Sequence, residues 1–334
     1  MKSRIRNGIT ANRPRSKQFA GNRSVLSSLS EWLYNSVVKG IPESKSTKIK
    51  WKIINIILKF ADPVVNVYMG QKKIKMLLSQ KTPYFYAIIS TYDRALPRIC
   101  ESIQKIDKKL LIIDIGANIG DTASLISEKV SGASILCIEG DKIFLPFLND
   151  NTALIKNNTI FIEQKYCVDV LENNKFATET KNGTAHLSVS NNNEIENVDT
   201  LDNMVNNNHI FHKTNILKID TDGFEITVLN GAKDFLKEIH PVIFFEFTPE
   251  AYVSNNQKPM DLINLLASYG YEKALFYDNF GNPVGIYNFS DTENIKRLIN
   301  QIDNKKIYYY DILCIHYNDE KYLSILNNEL YYYK

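Results

Sequence analysis

Residues 109–122 read KLLIIDIGANIGDT and combine a short apolar run, two glycines and the start of a helix. Leu110 to Ile113 is the kind of run expected for a parallel strand that is covered on both faces. Gly116 and Gly120 bracket a turn in which the backbone can adopt positive φ and a ligand can approach closely. A helix that begins after this turn directs unpaired N–H groups and the positive end of its dipole towards the ligand. The segment therefore predicts a nucleotide-type binding site.

The spacing around the turn argues against two common classes of nucleotide. The dinucleotide fingerprint G-x-G-x-x-G, placed on Gly116, requires glycine where this chain has Asn118 and Asp121. A P-loop requires a lysine and a serine or threonine after its last glycine, but Gly120 is followed by Asp121 and Thr122. An aspartate this close to a diphosphate would repel it. The turn therefore favours S-adenosylmethionine (SAM), which has no phosphate and carries an ammonium and a sulfonium cation.

Three further segments carry an acidic side chain at or near the end of a predicted strand. Residues 135–139 read ILCIE, residues 215–232 read NILKIDTDGFEITVLNGA, and residues 242–247 read VIFFEF. Ligands of open α/β sheets bind beyond the carboxyl ends of the strands, so we expect the acids at these ends to converge on one edge. With the acid of the first strand, they are Asp114, Glu139, Asp220 and Glu246.

Taken in order, these segments resemble the FkbM-type SAM-dependent methyltransferases. The resemblance rests on IDIGANIGD at 113–121, Glu139, VDTLD at 198–202 and the pattern KIDxDGxExxVLxGA at 218–232. It extends over residues 84–250, about half of the chain. The chain departs from the family pattern at 221–222, where the family more often has Val-Glu, and at 140–141, where the family commonly has proline.

The resemblance implies a class I methyltransferase fold, that is, an α/β, Rossmann-like, doubly wound and mostly parallel seven-stranded sheet with an N-terminal helical extension. It also implies SAM as the cofactor and O-methylation of a saccharide or small-molecule hydroxyl, often in glycan or natural-product pathways. Strands that alternate with helices predict a doubly wound sheet on their own. The predicted domains are a basic, disordered leader at 1–48, a mainly helical extension or lid at 49–108, and the methyltransferase domain at 109–334.

The cofactor-binding prediction assigns a role to each residue around the turn. Either Asp114 or Asp121 is placed to hold the ammonium of SAM, and Asp121 has the alternative role of a helix N-cap. Glu139 ends the second strand, where a carboxylate can accept both ribose hydroxyls. The turn is expected to shape the site around the methionine part of SAM and consists of Gly116, Ala117, Asn118 and Gly120.

The catalytic prediction concerns the acids of the later strands. Methyl transfer requires mainly that the two reactants be positioned and, for a hydroxyl acceptor, that a proton be removed. Asp220 is the candidate general base, with the alternative role of fixing the helix that follows it. Glu246 either binds the acceptor or is a buried structural acid. Asp222 and Glu225 are predicted to cap the helix after Asp220.

Three alternatives to this interpretation remain. Oxygen ligands suit magnesium, so a divalent ion held by Asp220, Asp222 and Glu246 is one of them, although no metal is expected. A non-catalytic methyltransferase-like module in a glycan assembly complex is the second. A Rossmann oxidoreductase is the third, and the missing second and third glycines count against it.

Charge and cysteine content narrow the choice of partners and compartment. The net charge is +3, but residues 1–23 contain seven basic residues and no acidic residue, so the remainder is mildly acidic. We therefore expect no nucleic-acid partner. The four cysteines are widely separated, which favours a reducing compartment over a disulfide scaffold. No apolar segment follows the early basic residues as in a signal peptide, so we expect a cytoplasmic protein.

The N-terminal region contains two segments with open interpretations. Residues 51–61 are strongly apolar but too short to span a bilayer, and Pro63 ends the segment. This segment either packs on the enzyme domain or lies at a membrane surface beside the basic tail, making residues 1–62 a peripheral membrane contact. The family resemblance implies that residues 67–108 lie over the cofactor mouth. Four side chains of this segment either help to close the site or only pack against neighbouring side chains: Tyr84, Tyr92, Asp93 and Arg94.

Two segments of the enzyme domain are predicted to form hairpins. Residues 173–193 are rich in Asn, Thr and Lys and indicate a hairpin or a loop insertion. Residues 271–278 and 284–289 flank the turn sequence NFGNP, which predicts a second hairpin. A last strand at 307–316 is expected to run antiparallel to the others, as the family resemblance implies.

Overall fold

The computed structural model describes residues 25–169, 176–181, 184–189, 197–303 and 307–333. The chain divides into two compact units, Met1–Ser90 and Thr91–Lys334, which we describe separately. Within the described ranges, no helix combines the length and the apolar character that crossing a membrane requires.

The first unit packs three helices with a two-stranded antiparallel sheet. Its elements are α1 (Val25–Val38), α2 (Lys45–Phe60), β1 (Val64–Met69), β2 (Lys72–Leu77) and α3 (Thr82–Ile88). Helix α1 lies within residues 1–48, for which the sequence analysis predicted a disordered leader. It is ordered by packing, because Leu33, Tyr34 and Val37 are buried. Residues 1–24 lie outside the described ranges, so the prediction of a disordered leader stays untested there.

The second unit contains the remaining strands and helices. Its strands are β3 (Leu111–Ile115), β4 (Ser134–Ile138), β5 (Thr159–Glu163), β6 (Tyr166–Cys167), β7 (Phe176–Lys181), β8 (Thr184–Val189), β9 (Val198–Asp199), β10 (Ile216–Ile219), β11 (Val242–Phe247), β12 (Tyr271–Asp278), β13 (Pro283–Asn288) and β14 (Tyr310–His316). Its helices are α4 (Ala95–Asp107), α5 (Asp121–Ile126), α6 (Leu145–Thr152), α7 (Leu201–Asn207), α8 (Glu225–Asn230), α9 (Lys233–Ile239), α10 (Pro249–Ser254), α11 (Pro259–Ser268), α12 (Thr292–Asp303) and α13 (Glu320–Leu330), with a 3-10 helix at His209–Lys213.

The main sheet has eight strands among the described residues, in the order β13-β12-β14-β11-β10-β3-β4-β5. Strands β5, β4, β3, β10 and β11 are mutually parallel, and β14 is antiparallel to its neighbours β11 and β12. The predicted α/β doubly wound, mostly parallel sheet and its late antiparallel strand are thus confirmed. The sheet has one strand more than the predicted seven, because the hairpin around residues 279–282 adds β13 beside β12.

Side chains of the central strands alternate between two apolar cores, one on each face of the sheet. In β3, Leu111 and Ile113 belong to one core, whereas Ile112 belongs to the other. This two-sided burial explains why the strand reads as a continuous apolar run. Helix α4 contributes Ile99 and Ile103 to the same core as Ile112. Its apolar face therefore places α4 in the second unit, whereas the sequence analysis begins the enzyme domain at residue 109.

Strands β7 and β8 pair as antiparallel neighbours, with Lys181 opposite Thr184. For residues 173–193 the sequence analysis predicted either a hairpin or a loop insertion, and this pairing corresponds to the hairpin. The rest of that predicted segment (173–175, 182–183 and 190–193) lies outside the described residues.

Candidate active site

The glycine turn between β3 and α5 adopts a backbone that few residue types tolerate. Gly116, Asn118 and Gly120 have φ values of +76°, +48° and +80°. A Cβ at Gly116 would lie 1.8 Å from the backbone oxygen of Asp220, so only glycine fits there. Asparagine visits this left-handed region more readily than most residues. The N–H groups of Gly116 and Ala117 both donate to the carbonyl of Ile138, which anchors the turn to the end of β4.

Glu139 holds this turn from the neighbouring strand. One carboxylate oxygen accepts from the N–H of Asn118 at 2.8 Å, and the other accepts from the N–H of Asp141 at 2.7 Å. Glu139 is 7% exposed, and burial raises its pKa to about 7 against the lowering effect of these hydrogen bonds. Because each carboxylate oxygen has two lone pairs, Glu139 can accept further hydrogen bonds from a ligand. The predicted role at the ribose is therefore compatible with its structural role.

Lys218 joins three parts of the site and was not singled out by the sequence analysis. It lies opposite Asp114 in the register of β10 and β3, and its Nζ is 2.9 Å from Oδ1 of Asp114. The same ammonium donates to the carbonyl of Gly116 at 3.1 Å and lies 3.5 Å from Oδ2 of Asp220. Burial alone would lower the pKa of Lys218, but the charges of Asp114 and Asp220 outweigh this effect and raise it. A lysine inside an otherwise apolar strand was the available sequence signal.

The two residues predicted to hold the SAM ammonium are placed differently. Asp114 has no exposed surface and is ion-paired with Lys218. Asp121 is half-buried and accepts from the N–H of Thr122 at 3.1 Å, within the first turn of α5. Burial raises the pKa of Asp121 to about 6, with a further contribution from Asp114. Asp114 therefore serves to neutralise the buried lysine, and Asp121 is left as the candidate for the ammonium.

Two cavities meet at Asp220. The first, the turn cavity, encloses about 600 Å³ including its open mouth, and the second, the carboxylate cavity, encloses about 620 Å³. The turn cavity is lined by Ile115, Gly116, Asn118, Ile138, Glu139, Gly140, Phe144, Lys165, Tyr166, Cys167, Asp220, Thr221, Asp222 and Phe224. The carboxylate cavity is lined by Thr91, Asp93, Ala95, Leu96, Pro97, Thr122, Leu125, Lys218, Ile219, Asp220, Phe244, Glu246, Tyr277, Gly281 and Asp311.

The carboxylate cavity contains the second predicted catalytic residue, Glu246. Its Oε1 accepts from the hydroxyl of Thr248 at 2.6 Å, and Asp311 lies opposite it in the antiparallel register of β11 and β14. Burial and the charges of Asp220 and Asp222 raise the pKa of Glu246 well above its usual range. Burial and the charge of Asp93 do the same for the pKa of Asp311. Asp311 was missed, although an acid inside the apolar last strand was a usable signal.

The segment before α4 supplies a further acid. Asp93 adopts a φ of +53° and lines the carboxylate cavity, as the prediction of a site-closing role requires. Desolvation by the surrounding protein, together with the nearby charges of Asp121 and Asp220, raises the pKa of Asp93 to about 8. Arg94 and Tyr92 do not line either cavity, and Tyr84 belongs to the first unit.

Glu225 is the residue that fixes the loop after Asp220. It is fully buried and accepts from the N–H of Thr221 at 2.9 Å, the hydroxyl of Thr221 at 2.8 Å and the N–H of Gly223 at 3.1 Å. These bonds satisfy donors ahead of α8, which is a capping role. Asp222 instead lines the turn cavity with a φ of +53°, and burial together with the charge of Asp220 raises its pKa.

The acids do not form a metal site of usual geometry. Among the described residues, no group of three or more His, Cys, Asp or Glu side chains is arranged to hold a metal ion. The alternative of an ion held by Asp220, Asp222 and Glu246 thus finds no support in this arrangement.

Comparisons with known proteins show what the chain is similar to. No curated protein matches it. Among solved structures, a TehB-like SAM-dependent methyltransferase from Corynebacterium glutamicum is 11% identical, with a TM-score of 0.34, and the alignment covers 67% of this chain and 88% of that chain. The plantazolicin methyltransferase BpumL, in complex with a pentazolic desmethylPZN analog and SAH, is 10% identical, with a TM-score of 0.36 and coverage of 87% and 97%. These structural similarities are too weak to support a functional conclusion.

One family model matches the segment that contains most of the candidate site. The model of the methyltransferase FkbM domain matches residues 114–273. This range begins at Asp114 and includes the glycine turn, Glu139, Asp220 and Glu246. Residues 114–273 of this chain are thus similar to the FkbM methyltransferase domain.

Proposed function

We propose that the protein is a SAM-dependent methyltransferase that methylates a hydroxyl of a saccharide or another small molecule. The observation that carries the proposal is the meeting of two cavities at Asp220, one built on the glycine turn and the other lined by carboxylates. A donor in the first cavity and an acceptor in the second would meet beside this residue. Such positioning is the main contribution that a protein makes to a displacement reaction.

The turn cavity suits SAM in charge. Gly116 lets the turn pack directly against the backbone of Asp220, and both residues line the cavity. Three carboxylates, those of Glu139, Asp220 and Asp222, line the cavity and suit a ligand with a sulfonium and an ammonium. Lys165 also lines it, but its ammonium is paired with Asp199. When bound, SAM would supply an electrophilic methyl group.

The residues of the site have distinct tasks in this proposal. Glu139 accepts hydrogen bonds from the ribose while it holds the N–H of Asn118. Asp121, in the first turn of α5 directly after the glycine turn, is assigned to the ammonium, whose positive charge would favour the ionised form that burial disfavours. Asp220, whose side chain is 45% exposed, accepts the proton of the acceptor hydroxyl. Glu246 orients that hydroxyl from the opposite side of the cavity.

The charge of the second cavity restricts the acceptor class. Asp93, Asp220, Glu246 and Asp311 line it together, and Lys218 is already engaged by Asp114. The raised pKa values of Asp93, Glu246 and Asp311 show that this cavity already disfavours negative charge, so a phosphorylated or carboxylated acceptor beside Asp220 would carry an energetic cost. Neutral polyhydroxyl compounds and amine-bearing sugars are therefore the acceptors that we expect.

Calorimetry with SAM and with NADH tests the proposal against its alternatives. We expect SAM to bind and NADH not to bind, whereas a Rossmann oxidoreductase would show the reverse. Glu139→Gln should weaken SAM binding about 10- to 150-fold, because hydrogen bonds to a charged group contribute about 1.5–3 kcal/mol. Glu163→Gln at the end of the next strand is the matched control, since Glu163 does not line the turn cavity. Failure of SAM to bind the wild-type chain would leave the non-catalytic alternative.

The acceptor is then found with labelled SAM. The protein is incubated with labelled donor and with separate glycan, lipid and small-metabolite fractions, and the fraction that takes up label is identified. Transfer to neutral or amine-bearing saccharides supports the proposal. Transfer confined to protein or to phosphorylated metabolites contradicts the proposed acceptor class.

A further inference from the structure

Helix α2 of the first unit leaves a row of large apolar side chains on its outer side. Ile49, Ile53, Ile56 and Phe60 are 56%, 38%, 55% and 79% exposed. Their spacing of four, three and four residues places them on one side of the helix. We call these four residues the α2 stripe. Exposed apolar side chains that occur singly are common, but a continuous row along a helix marks an interaction surface.

The other side of α2 already packs within the first unit. Thr47 and Ile54 are buried, and the ring of Trp51 lies edge-on against Tyr34 with 5.9 Å between centroids. The hydroxyl of Ser44 accepts from the N–H of Thr47 at 3.1 Å and caps the helix. The helix therefore keeps its fold and orientation within the unit without using the stripe.

A row of lysines runs beside the stripe. Lys45, Lys48, Lys52 and Lys59 are exposed and follow one another at helical spacing. The sixteen residues of α2 include five lysines and no acidic residue. Within residues 25–90, Lys48 of the row pairs with Glu43 at 3.0 Å, and both side chains are about half exposed or more. The outer side of α2 is thus half apolar and half cationic.

We propose that the α2 stripe docks the protein on an anionic lipid surface, with the helix lying in the plane of that surface. Isoleucine and phenylalanine side chains would enter the acyl boundary, and the flanking lysines would contact anionic headgroups while their stems cover apolar surface. A helix of sixteen residues is about 24 Å long, which is shorter than the hydrocarbon core of about 30 Å, so it lies on the bilayer and does not span it.

The charge pattern favours lipid over a second copy of the chain. In an antiparallel two-fold dimer through the stripe, the lysine row of one protomer would face that of its partner, and like charges would oppose each other. An anionic surface instead complements the row along its whole length. The docking does not depend on methyl transfer, because it uses no residue of the candidate active site.

Co-sedimentation of the full chain with vesicles tests the proposal. We expect binding to vesicles of phosphatidylcholine with 30% phosphatidylserine, as a probe composition, and little binding to phosphatidylcholine alone. Replacing Ile49, Ile53 and Ile56 with serine should lower the partition coefficient at least tenfold, since the transfer of apolar surface is lost. The matched control replaces three exposed apolar residues of the second unit, namely Ile143, Leu154 and Ile210.

A second variant separates insertion from charge attraction. Replacing Lys48, Lys52 and Lys59 with serine should lower binding to anionic vesicles about a hundredfold at low salt, because each lysine near an anionic surface contributes about 1 kcal/mol to binding. The control removes equal charge from exposed lysines of the second unit: Lys129, Lys156 and Lys237. Equal loss with both lysine sets, or binding that survives the isoleucine variant unchanged, would overturn docking through the stripe. Concentration-dependent dimerisation that the isoleucine variant abolishes, without vesicle binding, would assign the stripe to a second copy instead.

A fluorescent label reports the position of the stripe directly. The four native cysteines are buried, so an introduced exposed cysteine can be labelled selectively. With the environment-sensitive dye NBD on Ile56→Cys, anionic vesicles should shift the emission to the blue. The same dye on Tyr68→Cys, an exposed position in β1, should not respond. Equal responses at both positions, or no response at Ile56→Cys, would contradict the proposal even where a variant of the stripe fails to fold.

Discussion

Replacing Lys218 with methionine is the most informative single perturbation of the site. Its Nζ lies 2.9 Å from Asp114, a carboxylate with no exposed surface, and it also contacts the Gly116 carbonyl at 3.1 Å. Methionine keeps the apolar stem but removes the charge, so Asp114 is left buried without a compensating cation. Breaking a buried pair in this way costs about 3–5 kcal/mol.

This loss translates into a large change in melting temperature. For a unit of this size, 1 kcal/mol corresponds to about 2–4 °C, so we expect the melting temperature to fall by about 6–20 °C. Urea unfolding followed by circular dichroism gives the free energy of unfolding. The reactivity of the Cys137 thiol serves as a local probe, because Cys137 is fully buried and lies opposite Asp114 in the register of β3 and β4.

Two further variants isolate the cause. Lys321→Met removes a lysine whose pair with Asp107 is 2.8 Å long but whose side chain is 49% exposed, so its cost should stay below about 1 kcal/mol. Adding Asp114→Asn to Lys218→Met removes the orphaned charge and should recover part of the loss. If Lys218→Met costs no more than Lys321→Met, Asp114 does not need its cation, and our account of how the turn is held together is wrong.

Three other predictions follow from the same geometry. Gly116→Ala should cost about 2–4 kcal/mol, because its Cβ would lie 1.8 Å from the Asp220 carbonyl oxygen. Gly132→Ala, with the same φ of +76° and no atom within 4 Å, should cost only about 1–2 kcal/mol, and equal losses in the two variants would contradict the clash. Asp220→Asn should lower turnover about a hundredfold or more while SAM affinity changes little, and retained turnover in a labelled-SAM assay would exclude Asp220 as the base. Folding raises the pKa of Glu139 from 4.5 to about 7. Between these two pH values, the folded, ligand-free protein therefore binds more protons than the unfolded chain. The contribution of Glu139 to the free energy of unfolding consequently falls as the pH rises through that window. In thermal unfolding from pH 4.5 to 8, the stability of the wild type should therefore decline more steeply than that of Glu139→Gln. SAM should reduce this difference. Parallel profiles of the two proteins would refute the raised pKa of Glu139.

Local sequence features were enough to predict the architecture. The apolar run before Gly116, the positive φ that this glycine permits and the helix that follows all depend on neighbouring residues, and the structure contains each of them. The order of the segments around Glu139 and Asp220 was enough to indicate the FkbM family, which the match at residues 114–273 bears out. The eighth strand lay in a hairpin that the sequence already indicated, but its place at the sheet edge depended on packing.

The roles of the acids could not be read in the same way. Asp114 and Glu139 both come at the end of a predicted strand and look equally available in the sequence, whereas the capping role of Glu225 was predicted. In the structure, Asp114 neutralises Lys218, Glu139 holds the turn and Glu225 holds the loop after Asp220. Asp114 and Glu139 take these partners from other strands or turns, distant in sequence. The spacing of residues along one strand therefore does not predict which partners Asp114 and Glu139 contact.

The sequence by itself thus determined the strand–turn–helix unit, the class of sheet and the family, because these depend on backbone preferences and apolar periodicity within short segments. Only the tertiary structure decided which carboxylates stabilise the scaffold and which line the two cavities, since burial and charge pairing depend on what neighbouring strands contribute. The same holds for α2. Its sequence shows apolar residues on most of its circumference, and only packing within the first unit decides that Ile54 is buried while Ile56 stays exposed.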